Sequence, residues 1–361
     1  MWPDRRILDL FNIDLPILQA PMAGASDAEL AIAVAQAGGL GSLPCAMLDI
    51  DQTRAALGVV RQRTTRPVNL NFFCHADPAP DAAREAAWQK RLEGYYEEFG
   101  IDPASATGGP ARTPFDAEAC ALVEDMKPEV VSFHFGLPER ALLKRVRAAG
   151  VTVISSATTV EEARRLEAEG CDAVIAQGYE AGGHRGMFLS DEVASQVGTF
   201  ALVPQVADAV SVPVIAAGGI ADARGMAAAL VLGAAAVQIG TGYLHCAEST
   251  ISPIYREALA SARDDRTALT NVVTGRPARG LVNRFIRELG PMSGDAPAFP
   301  RAAAAVAPLR KAAEAGGSGE FSPLWAGQAA ALGHALGAGD FTRTLAADAA
   351  ALLERLSGAG A

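Results

Sequence analysis

The sequence predicts an α/β chain folded as a (β/α)8 TIM barrel, with an insertion after the third strand and a mainly helical C-terminal lid. Short apolar runs such as Val130–Phe135 and Val151–Ser155 alternate with helix-length segments, the pattern of a parallel sheet covered by helices. Eight such units fit within about 240 residues, the span such a barrel needs. Glycines follow the last two runs, at Gly218-Gly219 and Gly240, where a barrel turns from strand to helix. A doubly wound open sheet is the competing architecture.

Taken in order, Ile13–Met22 reads as a short buried strand ending in a proline-held turn. Ser26-Asp27-Ala28-Glu29 has the form of a capping box, opening a helix that stops at Gly38-Gly39. Leu40–Leu43 begins the second strand, a helix covers about 50–63, and Pro67–Phe73 is the third strand. Asn69 and Asn71 fall on one face of it, because strand side chains alternate. A proline- and glycine-rich insertion at about 75–125 follows, with one helix expected near Ala82–Phe99. An excursion of this size is more often functional than inert.

The period then resumes. Strands are expected at Val130–Phe135, Val151–Ser155, Asp172–Gln177, Val212–Ala217 and Ala235–Thr241, with helices at Pro138–Ala149, from Thr159 to Gly170, at Ala201–Val210 and from Asp222 to Leu232. The final third reads as helices at Glu248–Ala262 and Pro277–Glu288, a loose stretch at 315–319 and a last helix at Phe341–Leu356. The expected organisation is a barrel over 1–245, a helical substrate-side lid over 246–320, and a C-terminal segment, 321–361, packing back on the barrel.

Composition excludes several classes. The 361 residues are half hydrophobic and one-fifth charged, as in ordinary globular enzymes. A net charge of -10 argues against a general nucleic-acid surface. No run approaches the roughly 18 apolar residues of a membrane span. The five scattered cysteines form no C-x-x-C pair and fit reduced thiols. With an N-terminus lacking the apolar core of a secretory signal, the expectation is a cytoplasmic protein, monomeric or homodimeric.

In such barrels chemistry sits at the C-terminal strand ends, with phosphate commonly held after strands seven and eight. Gly218 and Gly219 free backbone amides for phosphate oxygens, Gly240 does the same, and the Thr241 hydroxyl adds a donor. Tight strand–helix turns alone are the plainer explanation of these glycines. Gln177, Asn69 and Asn71 bring neutral amides to strand ends and suit the donors and acceptors of an isoalloxazine ring. For the asparagines, a satisfied strand-end hydrogen bond is the alternative.

The sixth strand delivers Gln177-Gly178-Tyr179-Glu180-Ala181-Gly182-Gly183-His184-Arg185-Gly186. A titratable imidazole among glycines makes His184 the candidate catalytic base facing a flavin. His134, ending the fourth strand, is a candidate substrate contact, and His75 a candidate for the rim. His245 and His334 are expected to pack or face solvent. Glu180 either orients His184 or is an exposed loop carboxylate. No H-x-x-x-H or histidine–carboxylate cluster occurs, so no metal is expected.

That loop resembles the nitronate monooxygenase family, formerly the 2-nitropropane dioxygenases. Gln19–Gly24, Asn71-Phe72-Phe73-Cys74-His75, Ala217–Ile220, Gln238-Ile239-Gly240-Thr241, Thr274–Arg279 and Phe321–Trp325 extend the likeness over about residues 13–330, and Asn71–His75 resembles the first of the family's two classes. The resemblance implies FMN in a TIM barrel and oxidation of alkyl nitronates by O2 to carbonyl compounds and nitrite. It carries over His184 as base and Gln177, Gly182, Gly218, Gly219, Gln238, Gly240 and Thr241 as FMN ligands. The adjoining Gly183 joins that set, Asn69 or Asn71 would touch the ring, and Met22 would lie beside it. A carboxylate-bearing nitronate such as propionate 3-nitronate would favour a nearby cation, with Arg185, Arg276 and Arg279 the candidates. The alternatives are an FMN-dependent NAD(P)H oxidoreductase of the enoyl-acyl-carrier-protein or quinone reductase type, and a non-catalytic binder of flavin or phosphate.

Overall fold

Eight parallel strands form the barrel wall in the computed structural model, which describes residues 2–102 and 112–358. They are β1 (Ile17–Gln19), β2 (Gly41–Pro44), β3 (Val68–Phe73), β4 (Val130–His134), β5 (Thr152–Ala157), β6 (Ala173–Gln177), β8 (Val214–Ala217) and β9 (Ala236–Ile239). Neighbours run in sequence order around the wall, and β1 pairs with β9. A single parallel bridge, Leu18 to Leu40, links β1 to the start of β2 and nearly closes the circle. The TIM-barrel expectation holds.

Alternation divides each strand between two environments. Ile17, Leu43, Val68, Leu70, Val131, Val153, Val174, Ala216 and Val237 face the surrounding helices. Leu18, Val130, Ile154, Ile175, Ile215 and Ala236 fill the barrel interior, where α1 (Arg6–Phe11) adds Ile7, Leu8 and Phe11. Two residues further along these inward rows stand polar side chains: Ser132, Ser156, Gln177 and Gln238. The interior is therefore apolar toward α1 and polar toward the C-terminal strand ends, where a site belongs.

The helices α2 (Ala28–Gln36), α3 (Ile50–Arg63), α6 (Ala117–Met126), α7 (Arg140–Ala148), α8 (Val160–Ala168), α9 (Thr199–Ala207) and α10 (Ala223–Val231) cover the wall. After β9 the chain makes only a short helix, α11 (Thr241–Leu244), before leaving the barrel. It returns as α15 (Ala338–Leu356), which packs against both α2 and α10 and so fills the place of the eighth barrel helix. Phe341, Leu345, Ala346 and Ala349 are its buried face.

Several expectations change. The insertion carries two helices, α4 (Ala82–Arg91) and α5 (Glu93–Phe99). It ends earlier than expected, because α6 is a regular barrel helix between α3 and α7, capped by Asp116. Residues 103–111, including Pro103 and Gly108-Gly109-Pro110 of the expected breaker run, lie outside the described residues. Asp27, not Ser26, caps α2; Ser26 Oγ is used on Met22. Pro277–Glu288 is not one helix. Its first part is β11 (Ala278–Leu281), held between β10 (Thr267–Thr270) and β7 (Gly183–His184) in a three-stranded antiparallel sheet, and only Arg284–Leu289 is helical, as α13. Pairing with distant strands overrides local helix preference there. The helix expected from Glu248 is α12 (Pro253–Ala260), started by the Ser252 cap and Pro253. Helix α14 (Ala302–Ala315) was hidden by its internal Pro308.

Two distant segments share a second core outside the barrel. Trp88 of α4, Leu92 between the helices and Tyr96 of α5 enter one core with Phe285, Ile286, Val306, Leu309 and Phe321. Tyr96 Oη donates to the Ala305 carbonyl at 2.6 Å, fixing α5 to α14.

Candidate active site

The three-stranded antiparallel sheet meets the barrel at His184. Its strand, β7, belongs to that sheet, with His184 opposite Ala278 and Gly183 opposite Arg279. Yet the His184 carbonyl is held from the barrel side, by His134 Nε2 at 3.2 Å and Gln177 Nε2 at 3.1 Å. Gln177 Oε1 also accepts from the Gly186 amide at 2.7 Å. A carbonyl only accepts, so His134 carries its proton on Nε2, and its Nδ1 accepts from Ser156 Oγ at 3.1 Å. Burial holds His134 neutral, pushing its pKa down to about 4.

The His184 ring lies among aromatic side chains. Ring centroids are 5.2 Å away for Phe299, 5.5 Å for Trp325, 6.0 Å for Phe135 and 6.4 Å for Phe73. Phe135 takes a left-handed φ of 71°, a strained backbone that recurs at functional sites. His184 Nε2 lies 2.9 Å from Thr274 Oγ1. Desolvation, then the Arg112 guanidinium, with His134, Arg276 and His75 adding to it, depress the His184 pKa well below the ordinary histidine value. The ring is therefore neutral at physiological pH and able to accept a proton.

Two arginines border this ring with unused donors. The Arg276 guanidinium sits 4.1 Å over the Phe135 ring, and Arg112 lies 5.6 Å over Phe299. Arg276 also donates to the Met187 carbonyl, but its Nε and the Arg112 Nη1 are buried without a hydrogen-bond partner. His75 is buried beside them, its ring 4.9 Å from Phe299. This is a cationic pocket in a chain of net charge -10.

The glycine loops follow β8 and β9, and the first packs against the 178–181 segment that leads to His184. Gly218 and Gly219 adopt φ of +109° and +71°, conformations that favour glycine. A Cβ on Gly218 would stand 2.9 Å from the Ala181 amide. Gly240 is close to Ala20 and Met22, where a Cβ would lie 3.7 Å from the methionine sulfur. Thr241 Oγ1 accepts from the Gly327 amide at 3.0 Å, so its hydroxyl hydrogen stays available. Gln238 Oε1 and Asn69 Oδ1 are buried acceptors without partners. Asn71 lies two residues nearer the strand ends than Asn69, and both donate to Ser132 Oγ at 2.9 Å. Asn69, fully buried, also donates to Ser42 Oγ, so a ligand at the mouth meets Asn71 first. The donor set and the glycine cradle fit a ligand with a phosphate tail and an amide-rich ring.

Three expectations are corrected by geometry. Arg185 does not face substrate: it is fully buried and donates to the Gly178 carbonyl at 2.6 Å, the Gln177 carbonyl at 2.8 Å and Gln196 Oε1 at 3.0 Å. Its positive charge makes it a clamp on the loop, since unpaired backbone oxygens there would be costly. Arg279 is likewise occupied, by the Tyr179 carbonyl, Thr267 Oγ1 and the Tyr179 ring. Glu180 does not orient His184; its carboxylate accepts from the Thr199 amide and hydroxyl at 2.7 Å and secures the start of α9. Gly182 has a structural reason of its own, because a Cβ would lie 2.5 Å from the Gly327 amide. Gly183 has φ of +72° with open space around it. His245 packs as expected, its Nε2 3.1 Å from the Ala330 carbonyl.

Arg112, Thr274, Phe299 and Trp325 were not singled out individually from sequence. Thr274 and Trp325 fall inside motifs that signalled the lid; Arg112 and Phe299 lie in proline-broken stretches with no period to read. Among the described residues, no three histidine, cysteine or acidic side chains cluster to hold a metal, and no helix is long and apolar enough to cross a membrane.

Comparison with known proteins agrees with this site. The family model described as nitronate monooxygenase matches residues 4–348. A protein of Pseudomonas aeruginosa named nitronate monooxygenase is 44% identical, over 94% of this chain and 97% of its own length. The solved structure of a nitroalkane oxidase from Streptomyces ansochromogenes is similar with a TM-score of 0.88 and 40% identity, covering 97% of this chain and 99% of that one. The structure of FabK from Thermotoga maritima follows at 0.76 and 31%, covering 98% of both. The chain is an enzyme, and it belongs to the nitronate monooxygenase family.

Proposed function

We propose that this enzyme binds FMN and oxidises alkyl nitronates with O2 to carbonyl compounds and nitrite, with His184 as its catalytic base. The observation that carries the reading is the placement of His184: a neutral imidazole whose main chain is pinned by His134 and Gln177, on a loop whose 178–181 segment packs against the glycine turn after β8. Gly218, Gly219, Gly240 and Thr241 would hold the FMN phosphate, while Gln238, Asn71 and Gln177 would meet the ring and Met22 would lie beside it. Gly182 and Gly183 shape the loop between ring and base. When bound, FMN supplies the redox chemistry, and the protein supplies placement and electrostatics.

His184 accepts the proton from carbon beside a nitro group, or hydrogen-bonds a nitronate that arrives preformed. The Phe73, Phe135, Phe299 and Trp325 rings keep water from the reacting carbon. Arg276 and Arg112 attract the negative nitronate, and their spare donors suit a substrate that also carries a carboxylate, such as propionate 3-nitronate. O2 is the second substrate, and the chain needs no nucleic acid or membrane partner for this work.

The likeness to FabK keeps a second reading in view, an FMN-dependent NAD(P)H oxidoreductase. One experiment separates them. Purified protein loaded with FMN is given propionate 3-nitronate while oxygen uptake and nitrite are followed, and is mixed anaerobically with NAD(P)H in parallel. Oxygen uptake with nitrite release and no rapid bleaching by NAD(P)H supports the monooxygenase. Rapid bleaching without nitronate turnover overturns it.

A further inference from the structure

We infer that Thr274 is a positioning residue that fixes the tautomer of His184 and makes Nδ1, not Nε2, the nitrogen that takes the substrate proton. The inference rests on the base role proposed above for His184. Thr274 is fully buried at the turn leading into β11, and its Oγ1 lies 2.9 Å from His184 Nε2. The same hydroxyl reaches the Arg276 carbonyl at 3.4 Å. A hydroxyl has one hydrogen, and a carbonyl can only accept. With that hydrogen directed to Arg276, Thr274 offers His184 only a lone pair, so Nε2 must carry the imidazole hydrogen.

Nδ1 is then the basic nitrogen. It has no hydrogen-bond partner among the described residues, and it is not among the buried unpartnered atoms, so it is left accessible for a proton. In the proton-transfer step the C–H bond beside the nitro group breaks and an N–H bond forms at Nδ1. The C–H electron pair moves onto the nitro group, giving the nitronate. His184 becomes an imidazolium whose Nε2–H still donates to Thr274, a charge-assisted bond stronger than the neutral one it replaces. That gain offsets part of the cost imposed by burial and by Arg112, Arg276, His75 and His134, which all disfavour the charged ring.

The test combines a spectroscopic and a kinetic readout on the FMN-loaded enzyme. Nitrogen NMR of 15N-histidine-labelled protein, assigned by difference with His184→Asn, reads which ring nitrogen carries hydrogen. Nδ1 unprotonated and Nε2 protonated is the expected pattern, and Thr274→Val is expected to mix the tautomers. Kinetically, Thr274→Val should lower kcat for neutral nitroethane roughly tenfold to a hundredfold, the worth of a hydrogen bond to a charged group. Turnover of ethyl nitronate should fall far less, and Thr274→Ser should restore both the tautomer and the nitroethane rate. A wild-type ring protonated on Nδ1 overturns the inference even if His184 proves to be the base. So does a Thr274→Val enzyme with unchanged tautomer and rates. Failure of the base role itself appears separately, as equal loss on both substrates in His184→Asn.

Discussion

His134 Nε2 lies 3.2 Å from the backbone carbonyl oxygen of His184, so one histidine of the barrel wall holds the main chain of another on the antiparallel sheet. Gln177 completes the grip on the same oxygen. His184 is thereby referenced to the barrel, although its own strand belongs to the antiparallel sheet. Replacing His134 by Phe keeps ring shape and removes the donor. Turnover of nitroethane should drop about tenfold, the scale of one hydrogen bond, with flavin content unchanged by visible absorbance. Unaltered turnover would show that Gln177 alone suffices.

Acid should weaken the fold before carboxylates titrate. His134 is held near 4 in the folded protein against an ordinary value of about 6.5. Between those values the unfolded chain binds the extra proton, so stability is full above about 6.5 and declines as pH falls toward 4. His184, His75 and His245 are shifted in the same direction by burial and add to the slope. Denaturant midpoints measured from pH 7.5 to pH 5 should fall with acid, and His134→Phe should flatten the decline. A midpoint that rises on acidification would contradict this.

Glycines near the site are there for different reasons, and substitutions separate them. At Gly182 an added Cβ would meet the Gly327 amide at 2.5 Å and the Ala326 carbonyl carbon at 2.7 Å, both backbone. Gly182→Ala should cost about 1–3 kcal/mol, as overpacking does. Gly58 lies within helix α3 with open space around it, and Gly58→Ala should stabilise by roughly 0.5–1 kcal/mol. Thermal unfolding of the two variants should move in opposite directions. A neutral Gly182→Ala would mean the 326–327 segment yields freely.

Arg276 should set preference among nitronates. With Nε buried and unpartnered, it is poised for a second negative group. Arg276→Met should raise KM for propionate 3-nitronate roughly tenfold to a hundredfold, the worth of a charge-assisted bond, while KM for ethyl nitronate changes much less. Equal effects on both substrates would remove the carboxylate role.

Much of this was legible in the sequence because the barrel repeats a local rule. Apolar runs, capped helices and glycine turns located all eight wall strands, and alternation put Asn69 and Asn71 on one face. The lid obeyed no period. Ala278–Leu281 reads as part of a helix until β10 and β7 pair with it, and Pro308 disguises α14. Site residues divide the same way. Gln177, His134 and Asn71 were found at strand ends, whereas Arg112 and Phe299 owe their places to lid packing. Arg185 shows the limit of proximity in sequence: one residue beyond His184, just past the end of β7, its side chain turns into buried carbonyls.

The central claim is that His184 moves a proton, and neutral nitroethane compared with preformed ethyl nitronate tests it most directly. His184→Asn enzyme that retains its flavin should lose kcat/KM on nitroethane by about 10²–10⁴-fold, the usual contribution of a general base. On ethyl nitronate, which has already lost its proton, the loss should stay within about tenfold, since only a hydrogen bond is removed. Equal losses on the two substrates would contradict proton transfer by His184.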